Sequence, residues 1–218
     1  MTSHVQATEE RGIEGIEPSP AVARTVRRTL ARREATYIDE VQRLLDAGLA
    51  VMEATRDPAG PKVADVVRTA GLSNQAFYRH FASKDDLVAA VVEAGTWRLV
   101  GYLDHQMAKI EDPEGKICVW IEGVLSQASS PLVARSTRAT LSNLRQPPAG
   151  TVRRAPQAEI YRLLVSPLEA VGTLDPERDA AAISAVVFGR LDAFLWVAPP
   201  SEDDIAHVIR FCLGAIGH

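Results

Sequence analysis

The twenty residues from Lys62 to Phe81, KVADVVRTAGLSNQAFYRHF, restrict the fold more than any other stretch of the chain. Val63, Val66 and Val67 recur at helical spacing, which gives a first short helix one apolar face. Gly71 then supplies the residue type that ends a helix in a left-handed conformation without a Cβ clash. Ser73 is the type that starts the next helix, its hydroxyl accepting from a free first-turn N–H. Leu72 between them is suited to be the apolar plug that sets the angle of the pair. Two helices this close, with glycine in the turn, form the helix-turn-helix pattern. The second helix, Asn74 to Phe81, is expected to present Asn74, Gln75, Ala76, Tyr78 and Arg79 outward. Asn74 and Gln75 carry amides that match the adenine edge, and Ala76 is small enough to sit on a thymine methyl. Ser73, Tyr78, Arg79, His80 and Lys84 are groups that bond phosphates and fix register. On the motif alone, a surface hairpin with an ordinary polar face stays open as an alternative.

The residues that follow extend the pattern. LLDAGLAVM (44–52), VADVVRTAGLS (63–73) and FYRHFASKDDLVAAV (77–91) together resemble the DNA-binding domain of the TetR family of bacterial transcriptional repressors. The Phe-Tyr-Arg-His-Phe-x-Ser-Lys-Asp-Asp-Leu run is the most specific part, and the resemblance covers about Tyr37 to Val92. Two departures stand out. The loop Thr55–Pro61 holds two prolines and is longer than the family's usual one, and Lys62 replaces the threonine that commonly caps the second helix and touches a phosphate. A lysine there meets a phosphate as a point charge and not as a cap.

Taken in order, the chain opens with a polar, acidic leader over residues 1–20. Arg24, Arg27, Arg28, Arg32 and Arg33 follow in AVARTVRRTLARR, a basic arm or helical extension ahead of helix 1. Arginine forks suit phosphates and narrow minor grooves, so Arg32 and Arg33 are placed on the DNA backbone. A solvated charged face is the alternative for that run. Net charge is −4 over 218 residues, which speaks against indiscriminate coating of nucleic acid and leaves a local basic reading face open. No hydrophobic signal core opens the chain and no apolar run approaches bilayer length, so a cytoplasmic protein without a membrane is expected. Cys118 and Cys212 lack metal-ligand spacing and read as small hydrophobes of a reducing compartment.

Helix 1 is expected over Glu34–Ala54, with Ile38, Val41, Leu44, Leu45, Leu49 and Met52 facing the core. Ser83, with Asp86 three residues on, opens a long fourth helix reaching toward Ile110. Further helical segments are expected over Glu114–Ser129, Leu132–Leu144, Pro156–Val171, Pro176–Val197 and Ser201–Ile216, with a loose joint at 147–150. No stretch alternates like a strand, so the fold class is all-α. The expected organisation is a leader and arm over 1–33, a three-helix helix-turn-helix domain over 34–92, and a larger helical domain over 93–218.

The last two helices are apolar over more surface than one core needs: Phe188, Leu191, Phe194 and Leu195 on one, Val208, Phe211 and Cys212 on the other. That surplus is either a deep core or an intersubunit interface. The family resemblance implies the interface of a homodimer. It also implies a small-molecule effector site in the larger domain, where Trp97, Tyr102, Trp120 and Tyr161 supply aromatic lining. His105 and Arg138 are the groups suited to an acidic head. Asp104, His105, Glu111, Glu122, Asp203, Asp204 and His207 show no nucleophile, metal or phosphate-loop spacing, so no catalytic residue, metal or cofactor is expected. The expected function is a repressor released from a palindromic double-stranded operator by a hydrophobic or amphipathic effector. A helical protein-interaction module without DNA binding is the alternative.

Overall fold

The computed structural model describes residues 19–54, 60–143 and 155–216, and every regular element in them is a helix. These are α1 (Pro20–Ala54), α2 (Val63–Ala70), α3 (Asn74–His80), α4 (Lys84–Met107), α5 (Pro113–Ser129), α6 (Pro131–Asn143), α7 (Ala155–Arg162), α8 (Val165–Val171), α9 (Pro176–Trp196) and α10 (Glu202–Ile216). Nearly all of the expected leader, most of the loop Thr55–Pro61 and the joint at 147–150 lie outside the described residues. The chain divides into two compact units, residues 1–40 and 41–218.

In the first unit α1 begins fourteen residues before the expected start at Glu34. Ser19 explains the early start, because its Oγ accepts from the Val22 N–H at 3.4 Å and Pro20 follows in the first helical position. The next residues are mostly Ala, Arg, Leu and Thr with no glycine, so nothing interrupts the helix. The arginine run is therefore helical, and all five of its arginines are exposed. Ile38, expected in the core, is 62% exposed.

The second unit holds two hydrophobic clusters. One is built from the later part of α1, α2, α3 and the first turns of α4, around fully buried Leu44, Phe77 and Leu87. Side chains of this size contribute roughly 1.5–3 kcal/mol each when buried. α1 comes close to α4 at Gly48, where an added Cβ would lie 3.1 Å from a Leu87 methyl. The other cluster surrounds α5, which packs on α4, α6, α8, α9 and α10. Trp120 lies at its centre, fully buried, with its indole N–H donating to the Ile160 carbonyl at 2.8 Å.

The long fourth helix is continuous, as expected. Ser83 caps it by accepting from the Asp86 N–H at 3.1 Å, and it ends at Met107. Its Leu87, Val88 and Val91 belong to the first cluster, and its Leu103 and Met107 to the second. The segment expected as one helix over Pro156–Val171 is two, broken at Leu163–Leu164. Pro167 is the reason: it has no N–H to donate to the Leu163 carbonyl four residues back, and its ring collides with that oxygen in a continuous helix.

Candidate nucleic-acid interface and effector cavity

The turn between α2 and α3 is held from three sides. Gly71 adopts φ 64°, ψ 36°, and its N–H reaches the Arg68 carbonyl at 3.3 Å while the Leu72 N–H bonds Val67 at 2.9 Å. Ser73 accepts from the Ala76 N–H at 3.1 Å, which starts α3 and leaves its own hydroxyl proton for another acceptor. Arg43 of α1 supplies the third hold. Its Nε donates to the Ala70 carbonyl and its Nη2 to the Gly71 carbonyl, each at 3.1 Å. These are carbonyls that a helix end leaves without an intrahelical donor. The reading of the sequence did not pick out Arg43, because its partners lie 27 and 28 residues away.

On α3, Asn74, Gln75, Tyr78 and Arg79 are exposed, so four side chains expected outward are outward. Ala76 is not: it is 4% exposed and buried beside Phe77. The correction follows from helical geometry, since Ala76, Phe77, His80 and Phe81 fall on the face that packs inward. Phe77 and Tyr78 meet edge to face with ring centroids 5.2 Å apart. His80 is half-buried. Lys62 is exposed at the N-cap of α2 and makes no side-chain cap bond, as a point charge in place of a capping hydroxyl must. Lys84 is the first residue of α4 and is half-buried. Arg32 and Arg33 belong to the other unit and are exposed on α1.

A cavity of about 1030 Å³ lies among α1, α4, α5, α6, α7 and α9. Of the six residues expected around an effector, Tyr102 and Tyr161 line it. Trp120 stands one layer back in the core, edge-on at 6.3 Å to Phe188, which forms part of the wall. Trp97 is 50% exposed and His105 is also exposed, and neither lines the cavity. Arg138 is engaged elsewhere, its guanidinium donating to the Leu195 carbonyl at 3.0 Å near the end of α9. That oxygen lies where the helix has no further N–H to offer it.

The wall includes residues that the sequence did not mark as lining a cavity. Leu49 of α1 and Val91 of α4 line the cavity, and both are also part of the cluster around Phe77. Ser136 of α6, another wall residue, donates to the Glu53 carboxylate of α1. Ser184 of α9 lines the cavity at 7% exposure, and its hydroxyl has no partner.

The apolar surplus of the last two helices is mostly core. Leu191, Phe194, Leu195, Val208 and Cys212 are buried within this chain, and half-buried Phe188 faces the cavity. Of the residues expected at a dimer interface only Phe211 is open, at 58%. The physical reason is that each of the two meets more than one neighbour, α9 packing on α5, α6, α7, α8 and α10, and α10 on α5 and α9, so each buries more than one stripe. On α9 the remaining face carries Ala182, Val186, Gly189, Ala193 and Trp196 at helical spacing. Both thiols are free, and burial pushes each up from its usual range, so neither is a ready thiolate. No single helix among the described residues is long and apolar enough to cross a membrane.

The helix-turn-helix segment and the fold have counterparts among known proteins. Residues 44–91 match the family model for bacterial regulatory proteins of the tetR family. YwcC of Bacillus subtilis strain 168, an uncharacterized HTH-type transcriptional regulator, is 38% identical over 78 residues; the match covers 34% of this chain and 32% of that protein. The fold is similar to that of a protein from Pseudomonas aeruginosa PAO1 assigned as a transcriptional regulator. The TM-score is 0.64 at 22% identity, over 80% of this chain and 86% of the other. It is similar as well to the transcriptional regulator FadR from Bacillus subtilis in complex with stearoyl-CoA, at TM-score 0.55 and 17% identity, over 80% and 96% of the two chains. The motif, the turn geometry and the family match fall on the same residues, so the helix-turn-helix domain of this chain is of the tetR family.

Proposed function

We propose that the chain is a cytoplasmic, homodimeric transcriptional repressor, released from a palindromic operator when a small molecule fills the cavity. The observation that carries this reading is the shared wall. Leu49 and Val91 belong at once to the cavity and to the reading head's core, and Ser136 ties the wall to Glu53. A molecule pressing on those side chains acts directly on α1 and α4, the helices that seat α2 and α3. The stearoyl-CoA complex of FadR supports a small-molecule occupant for this fold.

Asn74 and Gln75 then read base edges, while Lys62, Ser73, Tyr78, Arg79, His80 and Lys84 set register on phosphates. The helical arginines of residues 24–33 add salt-sensitive affinity. Two copies, meeting through the open face of α9 and through Phe211, would place their reading helices on half-sites about 34 Å apart or a multiple of it.

The test is binding to a palindromic fragment from upstream of the protein's own coding region, over a range of salt. Gln75→Ala should cost about 1–3 kcal/mol and blur one position in each half-site. Equal weakening on every sequence would reduce Gln75 to a phosphate contact. Phe211→Asp should leave a folded monomer by light scattering, with operator binding collapsed. A dimer that still forms and binds would move the interface elsewhere.

A further inference from the structure

The hydrogen-bonding groups of the cavity wall are unevenly engaged. Thr96 donates to the Val92 carbonyl and Thr140 to that of Ser136, the usual back-bond of a helical hydroxyl, and Ser136 donates to Glu53. Ser184 makes no such bond, although it too stands in mid-helix. Among the described residues Ser184 and Thr173 have buried hydroxyls without a partner, and of the two Ser184 is on the wall. Leaving a buried hydroxyl unpaired costs about 1–3 kcal/mol, a cost that a bound acceptor or donor would remove.

Among the described residues, charge on the wall is confined to Arg98 and Asp192, and both are exposed. Asp192 accepts from the Trp196 indole N–H at 3.0 Å. Elsewhere the wall is largely aliphatic and aromatic, with Leu99, Leu141, Phe188 and Leu191 beside the two tyrosines. An ionised group brought deep among these side chains meets no charged partner there, the nearby Glu53 carboxylate being taken up by Ser136, so its desolvation goes uncompensated.

We propose that the cavity takes a predominantly hydrocarbon molecule bearing one uncharged polar group, a hydroxyl or a carbonyl, which hydrogen-bonds to Ser184. This rests on the effector-site reading above and names the chemistry of its occupant. The volume suits it, since about 1030 Å³ is at the upper end of pockets that enclose drug-sized molecules. Ser184 fixes where the polar end sits, and the aliphatic wall takes the rest.

The experiment is displacement of bound Nile red by 1-decanol, decane, decanoate and decylammonium, in the wild-type chain and in Ser184→Ala. The alcohol should displace best from the wild type. Ser184→Ala should weaken the alcohol about 5–10-fold relative to decane, which has no group for Ser184 to bond, with each displacement referred to that chain's own Nile red affinity; this is the loss of one neutral hydrogen bond. Its melting temperature should be equal or higher, because the substitution removes an unpaired buried group. Two results overturn the proposal while leaving the effector site standing: an unchanged response to the alcohol in Ser184→Ala, or displacement by either ion as good as by the alcohol. Failure of the wild-type chain to take up Nile red, with no thermal shift from any decyl probe, overturns the effector-site reading itself.

Discussion

The reading head and the helical body of the second unit are built by different means. The head is made of short elements whose ends are each specified within a few residues: Gly71 stops α2, Ser73 starts α3, Ser83 starts α4. Arg43 reaches across from another helix to hold the turn. The body has capped helices too, with Asp112 accepting from Gly115 N–H at 2.7 Å and Asp175 from Arg178 N–H at 3.2 Å. Yet what matters there, the cavity and the core around Trp120, is made by side chains tens of residues apart. A site built from local geometry can be read residue by residue. A site made by the space between helices cannot, because the space belongs to no segment.

Emptying each core in turn would test that contrast most severely. Trp120→Ala removes the largest fully buried side chain and its bond to Ile160, at about 3–5 kcal/mol. A substantial fall in melting temperature is expected. Phe77→Ala should cost a similar amount in the head and abolish operator binding, while the body still takes up Nile red. Should Phe77→Ala also empty the cavity of probe, the two regions melt as one unit through α4, and the contrast concerns construction alone.

A smaller effect would sharpen the picture of the turn. Gly71→Ala forces a Cβ into the left-handed region, at roughly 1–2 kcal/mol, and that Cβ would lie 3.1 Å from the Arg43 guanidinium. Operator affinity should fall in Gly71→Ala and in Arg43→Met, with Nile red affinity held. Equal loss of both would mean that the turn is not an independent device of the head.

The smallest effect belongs to the start of α10. Ser201 Oγ and the Ser201 backbone N–H both donate to the Asp204 carboxylate, at 2.6 and 3.0 Å, and these bonds hold its carboxyl below the usual range. A depressed pKa in the folded chain means that the stabilisation is present above the unfolded value and is lost as pH falls through the folded one. The melting-temperature gap between wild type and Asp204→Asn should therefore close on acidification below the ordinary carboxylate range. A gap that persists in acid would assign it to the shape of the cap and not to the charge.

Particular residues mark what could be read from the chain in advance. Asn74, Gln75, Tyr78 and Arg79 were legible as an outward set, and Ser83 as a helix start, because helical spacing and capping act over three or four residues. Ala76 was misplaced, since spacing alone left its side of a seven-residue helix undecided until Phe77 was packed. Ser19 carried a legible start for α1 that the charge of the following arginines obscured. Pro167 likewise marked a break within what periodicity joined.

By itself the sequence determined the all-α class, the helix-turn-helix and its family, the continuous α4, and the polar face of the recognition helix. These rest on hydrogen bonds and periodicities closed within one or two turns. Tertiary structure alone decided that Leu191, Phe194 and Cys212 lie in the core of one chain, that Arg138 holds the end of α9, and that Trp120 stands behind the cavity. It alone brought Leu49, Val91, Ser136 and Ser184 to one wall. The reason is physical: an apolar helix face is equally satisfied by its own chain, by a second copy or by a ligand, and only the packing of helices distant in sequence settles which surface it meets.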